Sequence, residues 1–358
     1  MEKAKLSVIQ LFALMFIFEL GTALVVSYGT NAGKDAWLSI LLAMCGGIVL
    51  FYIFYFLFRQ YPNLPFTGYI REIFGKYIGW IVGLLYCLHF LYICGRNVRE
   101  LGDLLVSSTL SETPLLAINL TLVLVMCYVI HLGIEVVGRT AEVLGAAGNF
   151  FVLVSGDVDF HQIRPFLEHG WKPIFTTAFP HLLIFPFGEM IAFTMLLPYL
   201  NRPQLAKRAW VGAVTSSGLI LTWMFVLNTS VLGIDVMQRS VFPTLTAVGK
   251  VNLFDFIERL DAIVVFTLLI TVFFKASIYL YAAVIGIADL FKLKTHHQIL
   301  FPTGTIVIFL SLTMASSFSE QGEEGFLNQY LSIVLLIVVP LLMLAVSIIR
   351  NRFKKKMN

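Results

Sequence analysis

The sequence predicts an all-α integral membrane protein with about ten transmembrane helices in two groups of five. Three observations predict it. The 358 residues are 58% hydrophobic and only 13% charged, about half the charge of a soluble domain; mean hydropathy is +0.87. The apolar residues gather into stretches near the ~20 that a helix needs to cross a bilayer. Two of those stretches are interrupted at matching depths by glycine or proline beside a carboxylate.

The spans fall at 7–29, 35–58, 77–107, 114–132, 138–156, 173–200, 207–233, 257–289, 297–316 and 325–349. No polar interval is long enough to fold as a soluble domain, so the chain reads as one transmembrane domain. Its first repeat covers about 7–156 and its second about 173–349, followed by a basic tail at 350–358.

In the first span, Lys3 and Lys5 precede a long apolar run that contains Glu19. That run lacks a small-residue cleavage site, so it is not read as a cleaved signal. After the second span, Tyr61-Pro-Asn-Leu-Pro65 marks a turn and Ile70–Phe74 a short interfacial helix. The third span is long enough to tilt or project, and carries Arg96, Arg99, Glu100 and Asp103. These form i,i+4 pairs, or pair with Glu258, Arg259 or Asp261 of the eighth span. The fifth span begins beside Arg139 and Glu142, and the polar loop 157–172 divides five spans from five.

Orientation follows from the basic residues. Sixteen Lys and Arg would face one side, five the other, and four (Arg96, Arg99, Arg259, Lys275) fall within spans. The richer side is cytoplasmic, so both termini are expected there. The tail Arg350–Lys356 sits where anionic headgroups attract it. The acidic loop Glu320–Glu324 falls outside.

Other function classes find no support. Cys45, Cys87, Cys94 and Cys127 lie in apolar runs without metal or disulfide spacing and read as small buried hydrophobes. The histidines lack zinc-protease spacing; His89 and His181 lie inside spans. There is no nucleophile elbow, phosphate loop or paired-acid hydrolase pattern. The sequence thus predicts no enzyme, cofactor or metal, and no nucleic-acid partner.

The interruptions point to a site. In Leu182-Leu-Ile-Phe-Pro-Phe-Gly-Glu-Met190, Pro186 removes a backbone donor and Gly188 permits unusual angles. The first span reads Glu19-Leu-Gly-Thr-Ala23 at its middle. Glu19 lies twelve residues after Ser7, and Phe185 lies twelve after Pro173. Backbone freed at membrane depth must line a cavity or be covered by protein. Carboxylates at that depth mark function, and paired interruptions are the signature of a transporter-type site. A simple kink is the competing reading.

This pattern resembles the amino acid–polyamine–organocation superfamily. Within it the chain is similar to the B subunits of spore germinant receptors, the GerAB/GerKB family. The resemblance rests on Ser7-x-x-Gln10-Leu11, Gly21-Thr22, Gly133-Ile-Glu-Val-Val-Gly-Arg139, Phe185-Pro-Phe-Gly-Glu189, Phe242-Pro243 and Phe274-Lys275-x-Ser277. One departure is Leu24-Val-Val-Ser-Tyr-Gly29, where the family has a glycine-rich run ending in Leu-Pro. The resemblance implies a leucine-transporter-like fold with a five-plus-five inverted repeat and helices 1 and 6 broken. It implies a subunit of the spore inner membrane that senses a small nutrient germinant, usually an amino acid. It also implies two partners, a receptor A subunit and a lipoprotein C subunit. The alternative function is a proton-coupled amino-acid transporter.

On this reading, the helix start near Gly21 suits an anion, so Gly21, Thr22 and Ala23 take the ligand carboxylate. Thr22 adds its hydroxyl, or else only bonds its own helix. Carbonyls at Ile184 and Phe185 take the ammonium, and Phe187 and Gly188 shape the side-chain space. Lys275 lies in the apolar run Phe273-Phe-Lys-Ala-Ser277, too deep to snorkel, so it needs a partner. Glu19 and Glu189 are the candidates. In relatives a sodium ion sits where span eight meets span one; Lys275, with Ser277, either stands in for that ion or forms a purely structural pair.

Overall fold

The computed structural model describes residues 6–24, 28–148, 160–240, 242–250, 260–314 and 328–357. Lys3, Lys5, the second half of the fifth predicted span, Glu258, Arg259 and Glu320–Glu324 lie outside them. Over the described residues the chain is almost wholly helical.

Helix α1 (Val8–Leu20) starts on a capping box. Ser7 Oγ accepts from the Gln10 amide at 3.1 Å, and Gln10 Oε1 accepts from the Ser7 amide at 2.9 Å. The Ser7-x-x-Gln10 motif therefore satisfies two of the amide donors that every helix start leaves open. The helix ends at Leu20: Gly21 takes φ 8 and ψ −124, and one 3-10 turn follows at Thr22–Leu24. The first group continues with α2 (Ala36–Gln60), α3 (Phe66–Phe74), α4 (Lys76–Ser108), α5 (Leu115–His131) and α6 (Ile134–Gly148). The chain bends by 111° between α5 and α6, at Gly133 with φ 107.

The second group opens with α7 (Trp171–Thr176). A π turn, Thr177–Leu182, then includes Phe179 at φ −128 and ψ 121. After Phe185 and Pro186 the backbone tightens to a 3-10 helix, Phe187–Met195. The irregularity thus begins six residues earlier than the Phe185–Glu189 stretch read from the sequence. Next come α8 (Ala206–Leu232), α9 (Ile234–Arg239), α10 (Pro243–Lys250), α11 (Leu260–Leu290), α12 (His297–Thr313) and α13 (Val339–Met357).

Among the described residues six helical stretches are long and apolar enough to cross a membrane, or seven if the bent α5–α6 pair counts as one. Val8–Leu24 and His297–Thr313 are shorter apolar helices. Each predicted span carries helix, and large apolar side chains such as Phe266 and Phe309 face outward, as a lipid-facing surface requires.

Packing places α1 in the middle, against α6, α8 and α11. Phe18 of α1 meets Phe193 edge-on at 5.1 Å, and Trp210 of α8 stacks on Phe51 of α2 at 4.9 Å. Small residues let the backbones approach, as in other membrane bundles. A Cβ on Gly47 would lie 2.7 Å from Phe187 Cβ, and one on Gly218 would lie 2.6 Å from Met44 Sδ. Cys87, Cys94 and Cys127 are buried as expected, whereas Cys45 is exposed on α2.

Helix α3 packs against the bundle through a buried face that includes Phe66, Tyr69 and Ile70. Thr67 Oγ1 donates to Asp289 Oδ2 at 2.6 Å, and Arg71 pairs with the same oxygen at 2.7 Å. This pins α3 to the end of α11. Asp289→Ala is expected to lower stability by about 1–2 kcal/mol, as a half-buried, charge-assisted pair of bonds would. Thermal unfolding of the detergent-purified protein measures it.

Candidate functional site

Lys275 projects from α11 and is fully buried. Its ammonium lies 2.6 Å from Glu189 Oε2 and donates to Thr22 Oγ1 at 3.4 Å. It also sits over two aromatic faces, Phe185 at 4.5 Å and Phe18 at 5.2 Å from the ring centroids. One side chain of α11 thus touches the segment after α1 and the segment before α8. Burying an ammonium is costly unless it is paired and bonded, and aromatic faces add further stabilisation in a desolvated place.

Gly21 makes this crossing possible. A Cβ there would lie 2.5 Å from Lys275 Cδ and 2.8 Å from the Phe18 carbonyl oxygen. Gly188 has a similar local role, since its Cβ would lie 3.0 Å from the Leu183 carbonyl oxygen. The two glycines of the predicted site are therefore places of close approach. Ala23, Ile184 and Phe187 are buried around them, and Phe185 is half-buried.

Of the two candidate partners, Glu189 takes the lysine. Glu19 is also fully buried, but neither of its oxygens has a hydrogen-bond partner among the described residues. Ser277 Oγ is buried and likewise lacks one among the described residues. Ser277 lies on α11 two residues beyond the lysine, and among the described residues no hydrogen bond joins it to the Lys275–Glu189 pair.

Sequence reading missed Phe18, Tyr28 and Tyr279. The Tyr279 ring lies 5.1 Å from Phe18, and its hydroxyl is within electrostatic reach of Glu189 and Glu19. Its signal was present: position 279 is one helical turn from 275, so both share a face. Tyr28 meets Phe185 edge-on at 6.4 Å. Nothing in its local sequence pointed to that contact, which depends on how the segment after the first interruption returns to the second.

The charges of α4 pair along their own helix, with Arg96 also within electrostatic reach of Glu189. Arg96 pairs with Glu100 and Arg99 with Asp103, each at 2.9 Å. Arg99 also reaches the Ser311 carbonyl of α12 at 3.4 Å. Both i,i+4 pairs are thus present, and Glu258 and Arg259, the partners considered from the eighth span, lie outside the described residues. His181 Nδ1 contacts Gln329 Nε2, and His89 is buried within α4. Among the described residues no group of three or more His, Cys, Asp or Glu is placed to hold a metal ion.

Comparison with known proteins places the chain in a family. The profile of a family described as spore germination protein matches residues 5–319. The chain belongs to the spore germination protein family. It is 36% identical to spore germination protein KB of Bacillus subtilis (strain 168), over 99% of this chain and 98% of that protein. Spore germination protein YndE of the same organism is 23% identical, over 90% of this chain and 89% of its own length. Spore germination protein XB of Bacillus anthracis is 20% identical, over 75% and 76%. The expected kinship with spore germinant receptor B subunits is borne out.

The fold has a solved counterpart in Mhp1, a nucleobase-cation-symport-1 family transporter in a closed conformation with bromovinylhydantoin bound. The TM-score is 0.72 at 17% identity, covering 96% of this chain and 78% of Mhp1. The spore germination protein is therefore a multi-pass membrane protein with a leucine-transporter-like, all-helical fold.

Proposed function

We propose that this germinant-receptor membrane subunit senses an amino acid held between the two interrupted segments. The observation that carries the reading is Lys275, which spans from α11 to Thr22 on one side and to Glu189 on the other. A group there that rearranges on ligand binding moves both segments together. Gly21, Thr22 and Ala23 would receive the carboxylate. Thr22 accepts from Lys275, and its own hydroxyl proton would then donate to the ligand. Carbonyls at Ile184 and Phe185 would receive the ammonium, with Phe187 and Gly188 bounding the side chain. Lys275 would take the place that a sodium ion holds in transporters of this fold, with Ser277 at its edge. A ligand shifts such an equilibrium only through its different affinity for the two arrangements.

In this reading the protein lies in the spore inner membrane with both termini cytoplasmic. The two repeats, about 7–156 and 173–349, enclose the site, and the signal passes to an A subunit and a lipoprotein C subunit. It performs no chemistry on the ligand. The second reading is a proton-coupled amino-acid transporter, favoured by the transporter-like fold and by three ionisable groups at the interruptions.

Thr22→Val separates binding from structure. It is expected to raise the germinant concentration needed for half-maximal germination about tenfold or more, the loss of one hydrogen bond to a charged group, while thermal stability stays near wild type. A dose–response curve of spores carrying the variant checks this. Unchanged sensitivity would remove Thr22 from the site. Accumulation of labelled amino acid in proteoliposomes, driven by a pH gradient, would favour the transporter reading instead.

A further inference from the structure

The charges at the interruptions do not balance. Lys275 supplies one positive charge, whereas Glu19 and Glu189 could supply two negative ones; one minus two leaves −1. Lys275 is committed to Glu189 at 2.6 Å. Glu19 is fully enclosed, and neither of its oxygens has a hydrogen-bond partner among the described residues. An ionised carboxylate so placed would cost many kcal/mol.

The surroundings offer little to offset that cost. From α11, Lys275 and Tyr279 act on Glu19 or face it; from the second interrupted segment comes Glu189, and from beyond the first break comes Tyr28. Lys275 attracts a charge on Glu19, and Glu189 opposes it. On α8, Ser217 and Thr222 turn their hydroxyls to carbonyls of their own helix. On α6, Glu135 and Arg139 pair with each other at exposed positions. Arg96 of α4 is engaged with Glu100.

We propose that Glu19 is a proton-binding site, carrying one proton in this packing so that the Glu19–Lys275–Glu189 cluster is neutral. The occupant is a proton rather than a larger cation, because the carboxyl is completely enclosed. Exchange needs the first interruption to open. Water then takes the proton, leaving a carboxylate that competes with Glu189 for Lys275. The break and the ion pair are thereby tied to one protonation event. Under the ligand site proposed above, an anionic group at Gly21–Ala23, two to four residues from Glu19, would favour the protonated form. Ligand and proton would then strengthen each other's binding.

The test needs no ligand, so it stands apart from the amino-acid reading. Infrared difference spectra of the purified protein near neutral pH would count neutral carboxyl groups by their D2O-sensitive C=O band. Wild type minus Glu19→Gln is expected to show one such band, assigned to Glu19. Glu189→Gln is expected to lose the same band, because Lys275 is then free to pair with an ionised Glu19. Lys275→Met leaves two acids and no cation, and is expected to show two bands. Glu19→Gln mimics the neutral acid and is expected to keep wild-type thermal stability.

A Glu19 band missing from wild type would overturn the proposal. So would bands unchanged across the three variants, or a thermal stability that follows sodium concentration at fixed pH and loses that dependence in Glu19→Gln. If Glu19→Gln fails to fold, the proposal is contradicted as well, since a neutral isostere should be accepted; the Lys275→Met and Glu189→Gln spectra then report independently.

Discussion

Lys275→Ala is expected to abolish the germinant response and to lower stability by about 3–5 kcal/mol, the cost of leaving a buried charge without its partner. The geometry sets the size of the effect. The ammonium is fully buried and lies 2.6 Å from Glu189 Oε2, whose side chain is 9% exposed. Removing it strands that carboxylate, empties the space between Phe18 and Phe185, and deletes the bond to Thr22. Paired variants separate charge from packing. Lys275→Met with Glu189→Gln is expected to recover most of the lost stability, because replacing a buried ion pair by neutral side chains of similar volume is often tolerated. It is not expected to recover germination. Thermal unfolding and spore germination assays read the two effects separately. A double variant as unstable as the single one would show that shape, not charge, holds the segments together.

Gly21→Val is the second large effect. The first added carbon would lie 2.5 Å from Lys275 Cδ and 2.8 Å from the Phe18 carbonyl oxygen. The lysine can bend away, but the carbonyl belongs to the last turn of α1 and cannot move without the helix. Overpacking of this kind costs about 1–3 kcal/mol. The functional loss is expected to exceed the loss of stability, because the lysine is pushed off Glu189. Gly21→Ala carries both of these clashes without the valine's extra methyl groups and is expected to show a weaker form of both effects. Gly212→Ala on α8 is the matched control: its nearest atom would be 3.4 Å away, an ordinary contact. It is expected to behave as wild type in both assays. Equal behaviour of Gly21→Val and Gly212→Ala would mean that close approach at Gly21 has no functional role.

How far the sequence could be read follows from these same residues. The membrane-spanning, helical class was legible because lipid demands long apolar runs whatever the tertiary structure. The first interruption was legible because Gly21 and Glu19 violate that demand together. Lys275 stood out for the same reason: a lone ammonium in Phe273–Ser277 has no local explanation. The choice between Glu19 and Glu189 was not legible. Both lie beside an interruption, and the side that each carboxylate faces depends on backbone angles around Gly21 and Pro186. Phe179 left helical geometry without any signal stronger than the proline that follows it. The tie between α3 and α11 depended on Asp289, some two hundred residues away, which no local pattern could link to Thr67. The aromatic faces over Lys275 were invisible too, since phenylalanine is common in membrane helices and reads as ordinary core.

The ligand site proposed above lies between the two interruptions, beside Lys275. The most direct measurement is thermal unfolding of the purified protein in detergent, with each of the twenty amino acids and then with sugars and nucleosides. A ligand that binds the native state raises its apparent stability with concentration. A saturable rise is expected for one amino acid or a few, lost in Thr22→Val and in Gly188→Leu while both variants unfold cooperatively on their own. A rise that persists in both variants would place the ligand elsewhere in the fold. A flat response in the isolated protein, and again in the presence of the proposed A and C subunits, would contradict a ligand site at the interruptions.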